Sequence, residues 1–311
     1  MTITPVNTRD WTRMVIAVSG SSGLIGSTLT GALEARGHSI KRLVRRPASG
    51  ADEISWNPER GQIAPGALDG VNAIVNLAGE NLAQRWNSSA RVRIRSSRVN
   101  GTTALARAIA AMPVKPRVML SGSAIGIYGS RGDAVLDESS DLGDDFLASV
   151  CREWEAATAP AADAGVRVVH LRTGLVMSRA GGALAKMLLP FRLGVGGRFG
   201  DGQQWMSWIA LSDAVAALAF LLRAESVSGA VNLVAPNPVT NADFTRTLAH
   251  VLGRPAVIPV PKLVLTLLLG EMGEDTVLAS QRVRARRLVE NGFKFKQPTL
   301  EEALRDAGLG H

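Results

Sequence analysis

The sequence predicts an α/β fold, a doubly wound parallel sheet followed by a smaller C-terminal lobe. Three observations carry that expectation. Near-continuous apolar runs alternate with helical patterns through the first half of the chain, and a glycine-rich turn joins the first run to the first helix. Beyond Ser178 the alternation loosens into a stretch rich in glycine and tryptophan. Strands buried on both faces read as unbroken apolar runs, and repeated strand–helix units favour a parallel sheet.

The elements follow in order. "MVIAVSG" (14–20) is an apolar run ending in glycine, a strand. A helix runs from about Gly23 to Arg36 and stops at Gly37, a C-cap position. "SIKRLVR" (39–45) and "NAIVNLAG" (72–79) are further strands, the latter ending at Gly79. A helix from about Ser88 to Ala111 leads to the buried strand "PRVMLSGSA" (116–124). A helix through "CREWEAATAPAADAG" (151–165) precedes the strand "VRVVHLRTGLV" (166–176). In the second half, "GGALAKMLLPFRLGVGGRFGDGQQWMSWIALSD" reads as a short helix, a loop and an edge element. It is followed by a helix (213–224), a strand (229–236) and two more helices (240–253, 298–309). This organisation places a nucleotide-binding domain at 14–178, with returning segments at about 205–236. Residues 179–309 mainly form a smaller substrate lobe.

Composition narrows the function classes. The chain is 46% hydrophobic and 20% charged, as expected for a protein with a substantial core. No run reaches the roughly 18 apolar residues of a membrane span. "LVLTLLLG" (263–270) fits a buried helix turn, and residues 1–13 lack the apolar core of a signal peptide. A cytoplasmic location and no membrane partner are therefore expected. The single Cys151 excludes an intramolecular disulfide and fits a reducing compartment. The four histidines (His38, His170, His250, His311) have no Cys or carboxylate at ligand spacing, so no metal site is expected. Although the net charge is +8, 29 of the 35 basic residues are arginine and they are spread from Arg9 to Arg305. This spread argues against nucleic acid as a partner. "RVRIRSSR" (91–98) and "QRVRARR" (281–287) fall in helical patterns without interleaved aromatics, and the second reads as a solvated helix face.

"SGSSGLIGSTL" (19–29) is the most informative stretch. Gly20 permits a tight turn, Gly23 lets the backbone approach a pyrophosphate, and Gly26 lets the helix pack on the sheet. The free N–H groups of the helix start face the negative charge. Gly20, Ser21, Ser22, Gly23, Leu24, Ile25 and Gly26 thus form a candidate phosphate loop, and the domain is of Rossmann type. The spacing is G-x-x-G-x-x-G. Together with "VNLAGEN" (75–81), "SRVNGTTAL" (97–105) and "LRTGLV" (171–176), it resembles the extended short-chain dehydrogenase/reductases. "WNPERGQI", "NLAGENLAQRWN", "MLLPFRLGVGG", "WMSWIALSD" and "FKFKQPTLEEAL" resemble one branch more closely, the epimerase-family or nucleotide-sugar-epimerase-like proteins. The resemblance runs from about Met14 to Leu304. It implies the fold and a nicotinamide cofactor more securely than a reaction.

Position decides which cofactor. The second strand ends "VRRP", with Arg45 and Arg46 and no acid before Asp52. An acid there hydrogen-bonds a ribose 2′-hydroxyl, whereas arginine accommodates a 2′-phosphate. The expected cofactor is NADP(H), in agreement with the resemblance. Leu77, Ala78 and Gly79, at a strand's carboxyl end, should lie against it. Arg91, Arg95 and Arg98 share one helix face. The resemblance brings Arg98, and less directly Arg93, towards the cofactor, and places Val176 over the nicotinamide. A basic solvent face is the alternative for the arginines.

The resemblance also implies catalysis by a Ser, a Tyr and a Lys four residues beyond the Tyr. Lysine and the cofactor's charge lower the phenol pKa from about 10. Ser123 occupies the Ser position at a strand end, where capping backbone groups is its alternative role. Phe146 stands where the Tyr is expected and Val150 where the Lys is expected. Tyr128 is the only tyrosine, and Gly132 lies four residues after it, so no Y-x-x-x-K exists in the chain. Tyr128 matches the "YG" that follows the active-site Ser. Pocket lining or packing, substitute acid and cofactor contact are all open to it. Ser123 and Tyr128 are therefore the candidate catalytic residues. Glu80, Asn81, Glu138, Trp205, Ser207 and Trp208 are candidates for the substrate side, and the two tryptophans fit either a stacking wall or interlobe packing.

The expected activity is an NADP(H)-dependent oxidoreductase acting on a small carbonyl, alcohol or nucleotide-linked substrate. An NADP(H)-binding regulatory protein without turnover and a nucleotide-sugar epimerase are the alternatives. The oligomeric state is open.

Overall fold

A computed structural model describes residues 13–310 of the chain. Arg9, His311 and all but the last residue of the 1–13 segment read above lie outside the described residues.

The chain enters the sheet at β1 (Val15–Ser19), whose side chains alternate between the two faces. Ile16 and Val18 join one core, and Ala17 joins the other. Helix α1 (Leu24–Glu34) follows and ends where Gly37 takes a φ of +85°. Next come β2 (Ser39–Val44), β3 (Glu53–Asn57), the short β4 (Gln62–Ile63) and β5 (Ala73–Asn76). The long α2 (Ser88–Ala111) is capped by the Asn87 side chain. It leads to β6 (Val118–Ala124), a 3-10 turn at Ile125–Tyr128 and the short β7 (Val135–Leu136). Helices α3 (Phe146–Ala156) and α4 (Ala159–Asp163) precede β8 (Arg167–Thr173) and β9 (Leu175–Met177).

The second half begins with α5 (Gly182–Arg192), then β10 (Trp205–Met206), β11 (Trp208–Ala210) and α6 (Leu211–Arg223). It continues through β12 (Gly229–Leu233), β13 (Val239–Thr240), α7 (Asn241–Leu252) and α8 (Lys262–Leu269). One π-helical turn at Gly273–Val277 precedes β14 (Arg282–Val283), α9 (Arg286–Glu290) and α10 (Leu300–Asp306), whose start is a full capping box on Thr299 and Glu302.

The main sheet has the order β12-β8-β6-β5-β1-β2-β3-β4, with every pairing parallel except that of β3 with β4. The chain moves outward from β1 to β2 and β3, then returns to pair β5 on the other side of β1. A crevice therefore opens at the carboxyl ends of β1 and β5, where such sheets bind ligands. One face of the sheet is covered by α1 and α6 and the other by α2 and α4. A third core unites α5, α7, α10 and Trp208 in the C-terminal lobe.

Several expectations are corrected. The strand expected to end at Gly79 ends at Asn76, which frees residues 77–79 to turn over the crevice. The strand expected over 166–176 is broken at Gly174, where a Cβ would lie 2.6 Å from the Ser207 carbonyl oxygen. Strand β3 was missed although Ile54 and Trp56, both buried, alternate with polar residues along it, and β4 is too short to show a pattern. "LVLTLLLG" is not buried, since Leu263 and Leu267 of α8 are 72% and 70% exposed. "QRVRARR" is not a solvated helix face. Val283 sits in the core, and the Arg287 guanidinium binds the carbonyls of Ser228 and Ala230.

Candidate cofactor-binding site

The crevice is built from backbone first. Gly20 takes a φ of +68°, and a Cβ there would lie 2.8 Å from the Leu77 carbonyl carbon and oxygen. A Cβ on Gly26 would come within 2.1 Å of the Gly20 carbonyl oxygen. These two positions thus admit only glycine, one for the turn and one for seating α1 against it. Gly23 caps α1 without a side-chain hydrogen bond, and no acid occupies the first helical turn. The opening N–H groups of a helix have no acceptor within it and carry the positive end of its dipole, so this end suits a phosphate.

Buried polar side chains fix the opposite lip. Ser19 Oγ donates to Asn76 Oδ1 at 2.6 Å and accepts from the Leu77 and Ala78 amides at 3.1 and 3.2 Å. Asn76 Nδ2 donates to Thr102 Oγ1, which also accepts from the Trp154 indole. Sequence reading missed Ser19, Asn76, Thr102 and Trp154. Polar residues inside the apolar strands β1 and β5 were the available signal.

Between these lips lies a groove of about 920 Å³. Gly20, Ser21, Ser22, Gly23, Arg45, Arg46, Leu77, Ala78 and Gly79 line it, as do Glu80 and Asn81. Leu24, Ile25 and Gly26 stand behind the loop in the first turn of α1. Trp56, Pro58 and Glu59 form a wall that sequence reading did not foresee. The two arginines differ. Arg46 is held by Glu53 through two bonds of 2.6 and 2.7 Å, which pull the Glu53 carboxyl down to about 2. Arg45 lines the groove, and its side chain makes no hydrogen bond or ion pair among the described residues.

On α2, Arg93 reaches the groove and pairs with Gln84 and Glu80. Arg98 lies beneath it, buried, with its guanidinium 3.2 Å from where a Gly79 Cβ would be. It donates to the carbonyls of Ile94 and Glu80 at 3.0 Å and stacks over Trp154, so it supports the lip rather than lining the groove. Val176 lies in β9, half-buried against the core and paired with Ile209 of β11.

The candidate catalytic residues belong to one buried network behind β6 and β8. Ser123 Oγ donates to Glu155 Oε1 at 2.7 Å, and Arg172 clamps both oxygens of Glu155 at 2.9 and 3.0 Å. Burial alone would raise the Glu155 carboxyl, but hydrogen bonds and charge from Arg172, with the Ser123 bond, hold it below the usual range. Tyr128 is wholly buried at 0% exposure. Its hydroxyl donates to Asn232 Oδ1 at 2.7 Å and accepts from Arg172 at 3.0 Å. Burial, against the Arg172 charge, raises its phenol above the ordinary value. Of the readings open to Tyr128, its burial favours packing, because the 3-10 turn after β6 places its ring in the core.

Other candidates are placed as follows. The Phe146 ring packs edge-on against Trp86, with the Arg91 guanidinium 4.2 Å from its centroid, and Val150 is buried beside them. Arg91 also pairs with Glu271 of the C-terminal lobe at 2.6 Å, while Arg95 pairs with Glu153. Trp208 is a core residue whose indole binds the Asn237 carbonyl. Ser207 bonds to Gln281 and Val283, and Trp205 bonds to Asp133 beneath the Arg282 guanidinium. The stacking wall is thus largely interlobe packing. Glu138 accepts from the Asn232 and Arg287 amides. Burial pushes the Cys151 thiol up to about 12. Among the described residues no cluster of His, Cys, Asp and Glu is arranged to hold a metal, and no helix is long and apolar enough to cross a membrane.

Comparison with known proteins places these features in context. Residues 16–234 match the NAD dependent epimerase/dehydratase family, and residues 260–307 match a domain of unknown function, DUF1731. The epimerase family protein Mb2239 of Mycobacterium bovis is 44% identical over 291 residues, which cover 93% of this chain and 96% of that protein. The crystal structure of human epimerase family protein SDR39U1 (isoform 2) with NADPH superposes with a TM-score of 0.87 at 37% identity, covering 95% of this chain and 99% of that one. A nucleoside-diphosphate sugar epimerase from Corynebacterium glutamicum gives a TM-score of 0.79 at 38% identity, covering 95% of this chain and 58% of that one.

Proposed function

Because the chain belongs to the NAD dependent epimerase/dehydratase family, within the extended short-chain dehydrogenase/reductases, we propose that it is an NADP(H)-dependent oxidoreductase of a small carbonyl, alcohol or nucleotide-linked substrate. The observation that carries this reading is the groove itself. Arg45 lines it, and no acid among the described residues neutralises that arginine, where an NAD-specific site needs a carboxylate. The NADPH bound to the human relative supports the same choice.

The residues fit the cofactor. The loop from Gly20 to Gly23 and the α1 start would hold the pyrophosphate, and Arg45 the 2′-phosphate. The lip from Leu77 to Gly79 would bear on the cofactor, with Arg98 buttressing it from below. The cofactor, when bound, supplies a hydride donor or acceptor. Ser123, at the carboxyl end of β6, is the residue that orients a substrate oxygen. Its proton is directed to Glu155, so it meets that oxygen as an acceptor and favours a hydroxyl. The buried Cys151 suits a reducing compartment such as the cytoplasm.

Calorimetric titration with NADPH and NADH tests the reading. Saturable NADPH binding at least about tenfold tighter than NADH is expected, from the charge-assisted bonds to the extra phosphate. Absent NADPH binding, or a preference for NADH, overturns it.

A second reading, an NADP(H)-binding protein without turnover, is favoured by the packing of Phe146 and Val150 and the burial of Tyr128. Oxidation of NADPH with any member of an aldehyde, ketone and nucleotide-sugar panel rules it out. Epimerisation ranks last, since it requires reversible hydride abstraction with a base that these residues do not provide.

A further inference from the structure

We propose that the C-terminal lobe carries a second anion site, a cationic groove between α7 and the segment 254–259 that takes an organic di- or oligophosphate. The groove encloses about 800 Å³ and shares no residue with the dinucleotide groove. Its size falls in the range of small-molecule sites.

The shape follows from the sequence. Helix α7 turns Phe244, Leu248 and Val251 into the lobe core. On its flank it presents the small side chains of Ala242 and Ala249, which leave a trough instead of filling it. Facing the helix, the chain from Arg254 to Pro259 forms the second wall. That wall is pinned by backbone pairing. The Val260 amide donates to the Arg198 carbonyl at 2.8 Å, and the Gly200 amide donates to the Val260 carbonyl at 2.9 Å.

The charge is one-sided. Arg198, Arg246, Arg254 and His250 line the groove, and no carboxylate among the described residues does. Arg246 is paired with Asp243 one turn back. The Arg198 and Arg254 side chains make no hydrogen bond or ion pair among the described residues, whereas Arg42, Arg46, Arg91, Arg172, Arg286 and Arg305 all engage a carboxylate. Guanidinium groups facing one cavity repel each other until an anion enters. Their planar forks match phosphate oxygens in bidentate fashion. Arg198 and Arg254 both line the trough, which suits a ligand with more than one anionic group. The apolar lining from Pro255, Val257 and Pro259 accepts an organic body attached to them.

Titration with inorganic pyrophosphate, at physiological salt and with NADPH in excess, tests the site. Saturable binding is expected, weakened about tenfold or more in Arg198→Ala/Arg254→Ala. Arg198→Lys/Arg254→Lys should fall between, since it keeps charge and loses the fork. One variant serves as a control. Arg192→Ala removes an exposed cation outside the groove and should bind pyrophosphate within about twofold of the parent. Two results overturn the proposal. Binding is absent while NADPH fills its groove, which would leave pyrophosphate to the dinucleotide groove, or the Arg198→Ala/Arg254→Ala protein binds like the parent.

Discussion

Arg45 and Arg46 are chain neighbours with different partners, and this sets their expected contributions. The Arg46 guanidinium is occupied by Glu53, whose side chain is half-buried while Arg46 is exposed. Arg45 is open to a phosphate. Arg45→Ala should weaken NADPH about ten- to a hundredfold and leave NADH nearly unchanged, whereas Arg46→Ala should cost NADPH only a few-fold, both read by calorimetry. Equal losses would show that the Glu53 pair opens on binding. Tyr128 yields a prediction of the opposite kind. Tyr128→Phe removes the hydroxyl that joins Arg172 to Asn232, so a loss of about 1–3 kcal/mol in denaturant unfolding is expected. Any NADPH-linked turnover should stay within about twofold. The missing Y-x-x-x-K was legible in the sequence because absence needs no geometry. The direction of the Tyr128 ring was not, since it depends on the 3-10 turn that follows β6.

At the level of elements, the Glu155–Arg172 pair joins α3 to β8, and Ser123 adds β6. Glu155→Gln leaves a buried guanidinium without its counter-charge, and a loss of about 3–5 kcal/mol is expected near neutral pH. The pH dependence has a fixed sign. Glu155 is held below the ordinary glutamate value of about 4.3, so its contribution is complete above that value and lost as pH falls through the folded-state value. The gap in urea midpoint between parent and variant should therefore close in acid; a gap independent of pH would contradict the assignment. Asp275, in the π-helical turn after α8, behaves inversely. Burial first, then Asp145, Glu271 and Glu274, raise it to about 6. The folded form binds the proton more tightly, so stability is lost as pH rises from about 4 through 6. Asp275→Asn should raise Tm by about 1–2 °C near pH 7.5 and have little effect near pH 4, the size being modest because the group is only partly buried. Strands closed by glycine and helices with clear caps were legible in the sequence. Helix α8 was not. An eight-residue apolar run carries no sign of which side it turns to solvent, and only Leu265 of it is buried.

Across the whole molecule, the two lobes are woven together and not strung in series, so we propose that the chain unfolds as one unit. The division at Ser178 follows the loosening of the sequence pattern, and the segments expected to return at about 205–236 include β12, which pairs with β8 from Gly229–Val169 to Leu233–Thr173. Helix α6 lays Leu218, Leu221 and Leu222 in the same core as Leu29 and Leu33 of α1. Its buried Asp213 accepts the Lys296 and Gln297 amides at 2.9 Å, tying the C-terminal segment back to this layer. A fragment ending at Ser178 would lose all of these contacts and leave β8 as an open edge. Burying one large aliphatic side chain contributes about 1.5–3 kcal/mol. Val215, Leu218, Leu221, Leu222 and Val231 together therefore represent on the order of 10 kcal/mol, as much as the whole net stability of a typical domain. The fragment should show no cooperative thermal transition by circular dichroism and should be degraded rapidly by protease, while the full chain melts in a single step that NADPH moves upward. A cooperative melt of the fragment would mean that the first 178 residues fold without the segments that return at about 205–236.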